Sequence, residues 1–354
     1  MRPTNPFPCR RGGRYDGGDV EGRPPTAPAV VRRATPIAVT WLWRALREAA
    51  ADLLRGLQRP APRPTGPTAP AAPRPLRPLV RVRLTDEVSH TLFDEYAAHR
   101  AGERGDEETG WALLGLRDGD DALALATLPA GAGREAGQAH VRFNSSAQAL
   151  ASRIVRQVDR RLTLLGVVHT HPGSLRHPSD GDFRGDSRWV GQLRGGEGVF
   201  GIGTADARPG PAEAVAWQPQ PNRQCLGELC FSWYALGPGD RAYRPLPAEV
   251  TLGPALARPL RPVWEQVEEH AERLDRLARQ QARVAFGVSP GRKGPALAVS
   301  VPLADPGQAV RILLEGKEVR YFLVRDGEPF AADLGEARVD QGFYLLMAEL
   351  AARD

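Results

Sequence analysis

The stretch GVVHTHPGSLRHPSDGDFRGD, Gly166 to Asp186, decides how the rest of the chain is read. His169 and His171 are separated by one residue at the end of an apolar run, Leu164, Leu165, Val167 and Val168. Alternate residues of a strand project to the same side, so both imidazoles face one way. Pro172 breaks the strand, Gly173, Ser174 and Pro178 make a turn-rich loop, and Asp182 opens a more polar segment. Two imidazoles and one carboxylate suit zinc and leave a fourth tetrahedral position for water, the pattern of a catalytic rather than a structural site.

Such a site needs a proton acceptor that is not itself a ligand. The best candidate lies upstream in EETGWALLGL, Glu107 to Leu116, which reads as a buried strand whose Gly110 and Gly115 let other backbone come close. Neighbours in a strand point to opposite faces, so only one of Glu107 and Glu108 can reach the site. Glu108 is the expected base.

A glutamate followed by His-x-His-x7-Ser-x2-Asp resembles the JAMM motif of the JAB/MPN metalloprotease family. His169, Thr170, His171, the seven residues Pro172 to Pro178, Ser179 and Asp182 fill the pattern position by position. The run Glu108 to Gly115 is similar to the family's segment around its catalytic glutamate, except that Trp111 stands where many members have a small residue, usually Gly. The resemblance implies that His169, His171 and Asp182 bind Zn2+. It also implies that Glu108 is general base and then acid, and that Ser179 hydrogen-bonds the water or oxyanion. It implies an α/β fold, a mixed sheet flanked by helices of the cytidine-deaminase-like kind. The implied activity is that of a zinc isopeptidase or peptidase acting on ubiquitin-like or sulfur-carrier protein conjugates, with activating and conjugating enzymes as partners. Three other readings stand beside it. A non-catalytic MPN scaffold would have lost ligands, whereas every motif residue is present here. A RadC-like protein carries Asn between the histidines, where this chain has Thr170. A hydrolase of small amide metabolites stays within the same chemistry.

Composition divides the chain. Its 354 residues, 42% hydrophobic, allow one large or two modest domains. The first eighty residues are rich in Pro, Ala, Gly and Arg, a composition that buries too little apolar surface to offset chain entropy, so 1–78 reads as a mostly disordered tail. That stretch of eighty holds fourteen arginines against five acidic residues, a net +9; with +5 for the whole chain, the remainder stands at −4. A catalytic region without positive excess argues against a nucleic-acid substrate. Within the tail, residues 37–58 have leucines at helical spacing but too many charges to span a bilayer. With Trp41 and Trp43 they suit a helix that docks on a partner, lies at a membrane interface or packs on the main domain. Cys225 and Cys230 have no further ligands nearby and read as buried thiols, with a disulfide between them as the alternative, and the expected compartment is the cytoplasm.

The domain organisation follows from texture. Residues 79–244 form the JAB/MPN-like domain: a strand at LVRVRL, a helix after Thr85, strands around a turn at Asp118-Gly119-Asp120, a helix over Ser145 to Arg160, the histidine strand, and strands at GVFGIGTADA and AEAVAWQP. Residues 256–354 form a charged amphipathic helix over Pro262 to Val284 and a small α+β unit of unassigned role, with a hairpin turn at Glu315-Gly316-Lys317. His177, His90 and His99 read as surface or boundary histidines and His270 as packing.

Overall fold

The computed structural model describes residues 75–132, 135–136, 141–207 and 216–352. The expected tail lies almost wholly outside the described residues, and so does its amphipathic segment near 37–58.

Strand β1 (Arg81–Thr85) buries Val82 and Leu84 and leads straight into α1 (Asp86–Ala101). Thr85 is the N-cap, its Oγ1 accepting from Val88 N at 3.3 Å, which satisfies one of the helix's orphan donors. Strands β2 (Gly110–Asp118) and β3 (Asp121–Pro129) form a hairpin whose turn uses Gly119 at φ +60°. A short ribbon of β4 (Glu135–Ala136) and β5 (Val141–Arg142) follows. Helix α2 (Ser145–Val155), capped by Asn144, stops earlier than the pattern to Arg160 suggests, because residues 156–162 turn the chain into β6 (Thr163–Thr170). Then come α3 (Asp180–Asp186), β7 (Gly198–Thr204), β8 (Trp217–Gln220), β9 (Arg223–Leu226), β10 (Leu229–Leu236), β11 (Arg244–Pro245) and β12 (Ala248–Thr251). Of the strand expected at AEAVAWQP, only its end from Trp217 is a described strand.

These strands make one mixed sheet in the order β12-β1-β3-β2-β6-β7-β10-β9-β8, with β11 on β10. β1 runs parallel to both β3 and β12, and β6 parallel to β7; the other pairs are antiparallel. Helix α1 covers one face, where Leu92, Phe93 and Tyr96 meet Trp111, Leu113, Val168 and Phe231. Helix α2 covers the other, over Ala112, Leu114, Ala126 and Leu128. This is the α/β mixed sheet flanked by helices expected from the motif.

The C-terminal part contains a 3₁₀ turn (Arg258–Val263), α4 (Trp264–Gln280), β13 (Ala285–Pro290), β14 (Pro295–Pro302), β15 (Gln308–Glu315), β16 (Glu318–Arg325), β17 (Glu328–Ala332) and α5 (Val339–Ala351). Its five strands form an antiparallel meander in sequence order. The β15–β16 turn pairs Glu315 with Glu318 across Gly316 at φ +57°, as the Glu315-Gly316-Lys317 sequence suggests. The apolar stripe of α4, Val267, Ala271, Leu274 and Leu277, packs against Leu150 and Ile154 of α2 and against Val299 and Ile312 of the small sheet in one continuous core. The described residues thus belong to one compact unit.

Candidate metal centre

The histidine strand is shaped by one glycine. Gly166 has φ +154°, and a Cβ there would run into the carbonyl of Val199 on β7. The register with β2 shifts at this point, Leu113 facing Gly166 and Leu114 facing Leu164, so one extra residue is accommodated as a bulge. Beyond the bulge Val168 enters the core under α1, while Val167 and His169 line a cavity on the other face.

The end of β6 is held from both sides. Thr170 N donates to Thr109 O at 2.9 Å, Thr109 N donates back to Thr170 Oγ1 at 2.9 Å, and His171 N donates to Gly203 O at 2.8 Å. Gly110 lies opposite His169 in the ladder, and a side chain there would meet Val168 O and Phe143. The glycine therefore permits the close approach expected of it. These bonds bring Glu108 beside the histidines. It sits in irregular chain two residues before β2 rather than inside the strand.

The loop after Pro172 returns the chain to the site. Ser179 is the N-cap of α3 and Asp182 its third residue, and the two close a capping box. Ser179 Oγ donates to Asp182 Oδ2 at 2.8 Å and accepts from Asp182 N at 3.2 Å, while Ser179 N donates to Oδ2 at 2.6 Å. The hydroxyl expected at the water or oxyanion is thus engaged by Asp182. Tyr234 OH pins the loop by donating to Arg176 O at 2.7 Å, and Arg176 pairs with Asp206 at 3.0 Å.

His169, His171 and Asp182 offer three donor atoms that all lie within 4.8 Å of one another. The Nε2 atoms of the two histidines are 3.0 Å apart, His169 Nε2 is 3.3 Å from Asp182 Oδ1, and His171 Nε2 is 3.5 Å from Oδ2. Ligands at about 2.0–2.1 Å from a tetrahedral zinc are spaced by roughly 3.3 Å, so the donor set fits that ion. His171 Nδ1 lies 2.7 Å from the Leu175 carbonyl, which fixes the proton on Nδ1 and leaves the Nε2 lone pair facing the cluster. Both imidazoles are buried, 7% and 6% exposed. Burial opposes the charge on Asp182, but the imidazoles of His169 and His171 beside it outweigh burial and hold the carboxyl far below its usual range. Burial likewise opposes a charged His171, yet Asp182 and the Leu175 carbonyl raise its affinity for a proton. A cation at this point meets a permanent negative charge.

Glu108, 4% exposed, lines the same cavity as His169 and Asp182, and its charge contributes to the raised proton affinity of His171. Glu107 turns away, its carboxylate held by Arg104 at 2.6 Å. Trp111 also points away from the cavity, buried under α1 with its Nε1 donating to Glu95 Oε2 at 2.5 Å. The departure at this position therefore leaves the cavity wall, formed by Ala112 and Leu114 of the same strand, unaltered. His177 is exposed and outside the cluster, and His270 is buried in α4.

The cavity measures about 1040 Å³ and has a mostly apolar wall, including Leu128, Phe143, Leu164, Val167 and Trp189. It also holds a third carboxylate, Asp186, which the sequence motif did not single out. Its Oδ2 accepts from Tyr243 OH at 2.7 Å and its Oδ1 from Trp189 Nε1 at 3.1 Å. Burial pushes this carboxyl up to about 6 despite those donors. The i, i+4 spacing from Asp182 on a helix was the available signal. Tyr243, from beyond β10, had none.

An α/β domain with a His/His/Asp cluster that could hold a metal ion, beside a buried glutamate, is what these elements define. Residues 89–218 match the family model described as prokaryotic homologs of the JAB domain, and over that span the chain is similar to the JAB/MPN family. A solved structure, the solution structure of protein DSY2949 from Desulfitobacterium hafniense, is similar at 16% identity with a TM-score of 0.32, covering 49% of this chain and 94% of that one. No curated protein matches. Among the described residues no helix is long and apolar enough to cross a membrane.

Proposed function

We propose that the chain is a zinc-dependent isopeptidase or peptidase that severs a ubiquitin-like or sulfur-carrier protein from the group attached to it. One observation carries the reading: His169, His171 and Asp182 converge at tetrahedral ligand spacing while Glu108, not one of the three, opens onto the same cavity. Zinc, when bound, supplies an activated water, lowering its pKa from about 15.7 to about 7, and polarises the scissile carbonyl. Glu108 takes a proton at the start of the reaction and returns it to the leaving amine, a role worth about 10²–10⁴ in rate. Ser179 acts through Asp182, which it orients by the capping box. The apolar walls at Leu114, Leu128, Phe143 and Trp189 exclude bulk water and provide an extended, uncharged tail with surface to bury. Activating and conjugating enzymes are the expected partners, because a carrier must be attached before it is released.

The test is cleavage of ubiquitin-like proteins fused through their C-termini to a reporter, followed by mass spectrometry, with zinc-loaded wild type beside Glu108→Gln. Cleavage after the carrier's last residue by wild type alone supports the proposal. Zinc-loaded wild type that cuts none of the fusions counts against carrier processing.

A further inference from the structure

The metal cavity does not end at α2. Ala149 and Ser152 on that helix line it on one side and, on the other, line a second groove of about 770 Å³ built between α2, α4 and the start of β13. Arg153, Arg156 and Arg160 from the end of α2 and the following turn, with Arg283 from the approach to β13, line this groove, and all four are exposed. The one carboxylate on its wall, Asp275, is already engaged by Arg153 at 3.1 Å and by Arg279. Arg283 donates to the Leu303 carbonyl at 3.0 Å, and among the described residues Arg156 and Arg160 have no ion-pair partner. Complementing the helix dipole accounts for Arg153 in the last turn of α2 and Arg156 at its C-cap. It does not account for Arg160 and Arg283, which arrive from other segments.

We propose that this groove docks an acidic segment of the protein whose tail enters the metal cavity, and that the C-terminal part of the chain therefore serves as a substrate-recognition element. The inference rests on the reading of the cavity as a protein-cleaving site. Five observations carry it. The two cavities share a wall, and Arg156 lies one helical turn, about 6 Å, beyond Ser152. Guanidinium groups bind carboxylates through paired hydrogen bonds, and two of these four have no competing acid. Val158, 68% exposed, stands in the turn between Arg156 and Arg160, an apolar contact suited to a protein surface. Beyond the first eighty residues the chain carries −4, so its positive charge here is a local patch rather than a field suited to a nucleic-acid backbone. A helix and a strand that lie outside the JAB-matching span, α4 and β13, supply the far wall.

The experiment separates docking from hydrolysis. A fluorescein-labelled decaglutamate peptide is titrated by anisotropy against the full chain, against the double reversal Arg156→Glu/Arg160→Glu, and against Arg241→Glu/Arg325→Glu. The last pair are exposed arginines that do not line the groove and carry the same charge change. We expect the groove variant to bind at least tenfold more weakly and the control to stay within twofold of wild type. Arg156→Ala/Arg160→Ala, with its thermal midpoint checked, repeats the test without reversed charge. Equal affinity of the groove variants and wild type overturns the proposal, whether or not the cavity cleaves anything. So does a DNA duplex that displaces the peptide at lower concentration than unlabelled peptide does. Groove-dependent peptide binding with no cleavage of any carrier fusion leaves docking standing and sinks the hydrolase reading alone.

Discussion

Ser179 and Asp182 hold each other: the serine hydroxyl donates to the aspartate's Oδ2 at 2.8 Å, and the aspartate's backbone N–H donates to the serine Oγ at 3.2 Å. The helix cap and the ligand orientation are thus one set of bonds. Ser179→Ala should lose about 1 kcal/mol from the missing cap and about 10–100-fold in zinc affinity from a freed carboxylate. Competition with a chromogenic chelator measures the second quantity. Wild-type affinity in the alanine variant would show that Asp182 needs no such support, and Ser179→Thr should retain most of it.

Glu107 and Glu108 are adjacent but do different things. Arg104 holds the Glu107 carboxylate at 2.6 Å, while Glu108 faces the cavity. Glu108→Gln keeps size and burial, so bound zinc should remain at one per chain while cleavage falls by about 10²–10⁴. Glu107→Gln should change neither. Equal loss in both variants would remove Glu108 from its assigned role.

Asp186 gives the protein a pH-dependent liability. Its carboxyl is pushed up to about 6 by burial, against an ordinary value of 3.8. Below pH 4 both folded and unfolded states hold the proton and no stability is lost. Between 4 and 6 the unfolded chain releases it while the folded chain does not, so stability falls as pH rises. Above 6 the loss is constant, at most about 3 kcal/mol for two pKa units and less for a carboxyl that solvent still reaches. Asp186→Asn can keep both contacts, accepting from Trp189 and donating to Tyr243. Urea unfolding with chelator present should find the variant more stable than wild type at pH 7 and the gap closing towards pH 4. A gap that does not change with pH would assign the effect to packing instead.

What could be read in advance follows from sequence distance. His169, His171, Ser179 and Asp182 lie within fourteen residues, and strand period and helix capping fix how such near neighbours project. Alternation and helical spacing likewise exposed most strands and the stripe on α4. Hidden from the sequence were features made by residues that meet only after folding. Tyr243 reaches Asp186 from 57 positions away, and Arg153 reaches Asp275 from 122. The sequence also leaves the partner of the C-terminal helix open, because an amphipathic stripe says that a helix has a partner without saying which one.

That partner is α2, and the consequence is testable. Leu274 is fully buried between α4 and α2, in the core that includes Leu150 and Ile154. Leu274→Ala should lose about 2–5 kcal/mol, since the cavity it leaves is enclosed by two helices and a sheet. Because the core is continuous from Leu114 and Leu128 in the large sheet to Val299 and Ile312 in the small one, the loss should be felt by both. In a Trp264→Phe background, which removes the tryptophan that opens α4, fluorescence reports chiefly on the large sheet and α1 through Trp111 and Trp233, and circular dichroism reports on the whole chain. In wild type and variant the two signals should move through one coincident transition, shifted to lower denaturant in the variant. Two separated transitions, with only one displaced by Leu274→Ala, would mean that the C-terminal part folds on its own and that α2 does not depend on it.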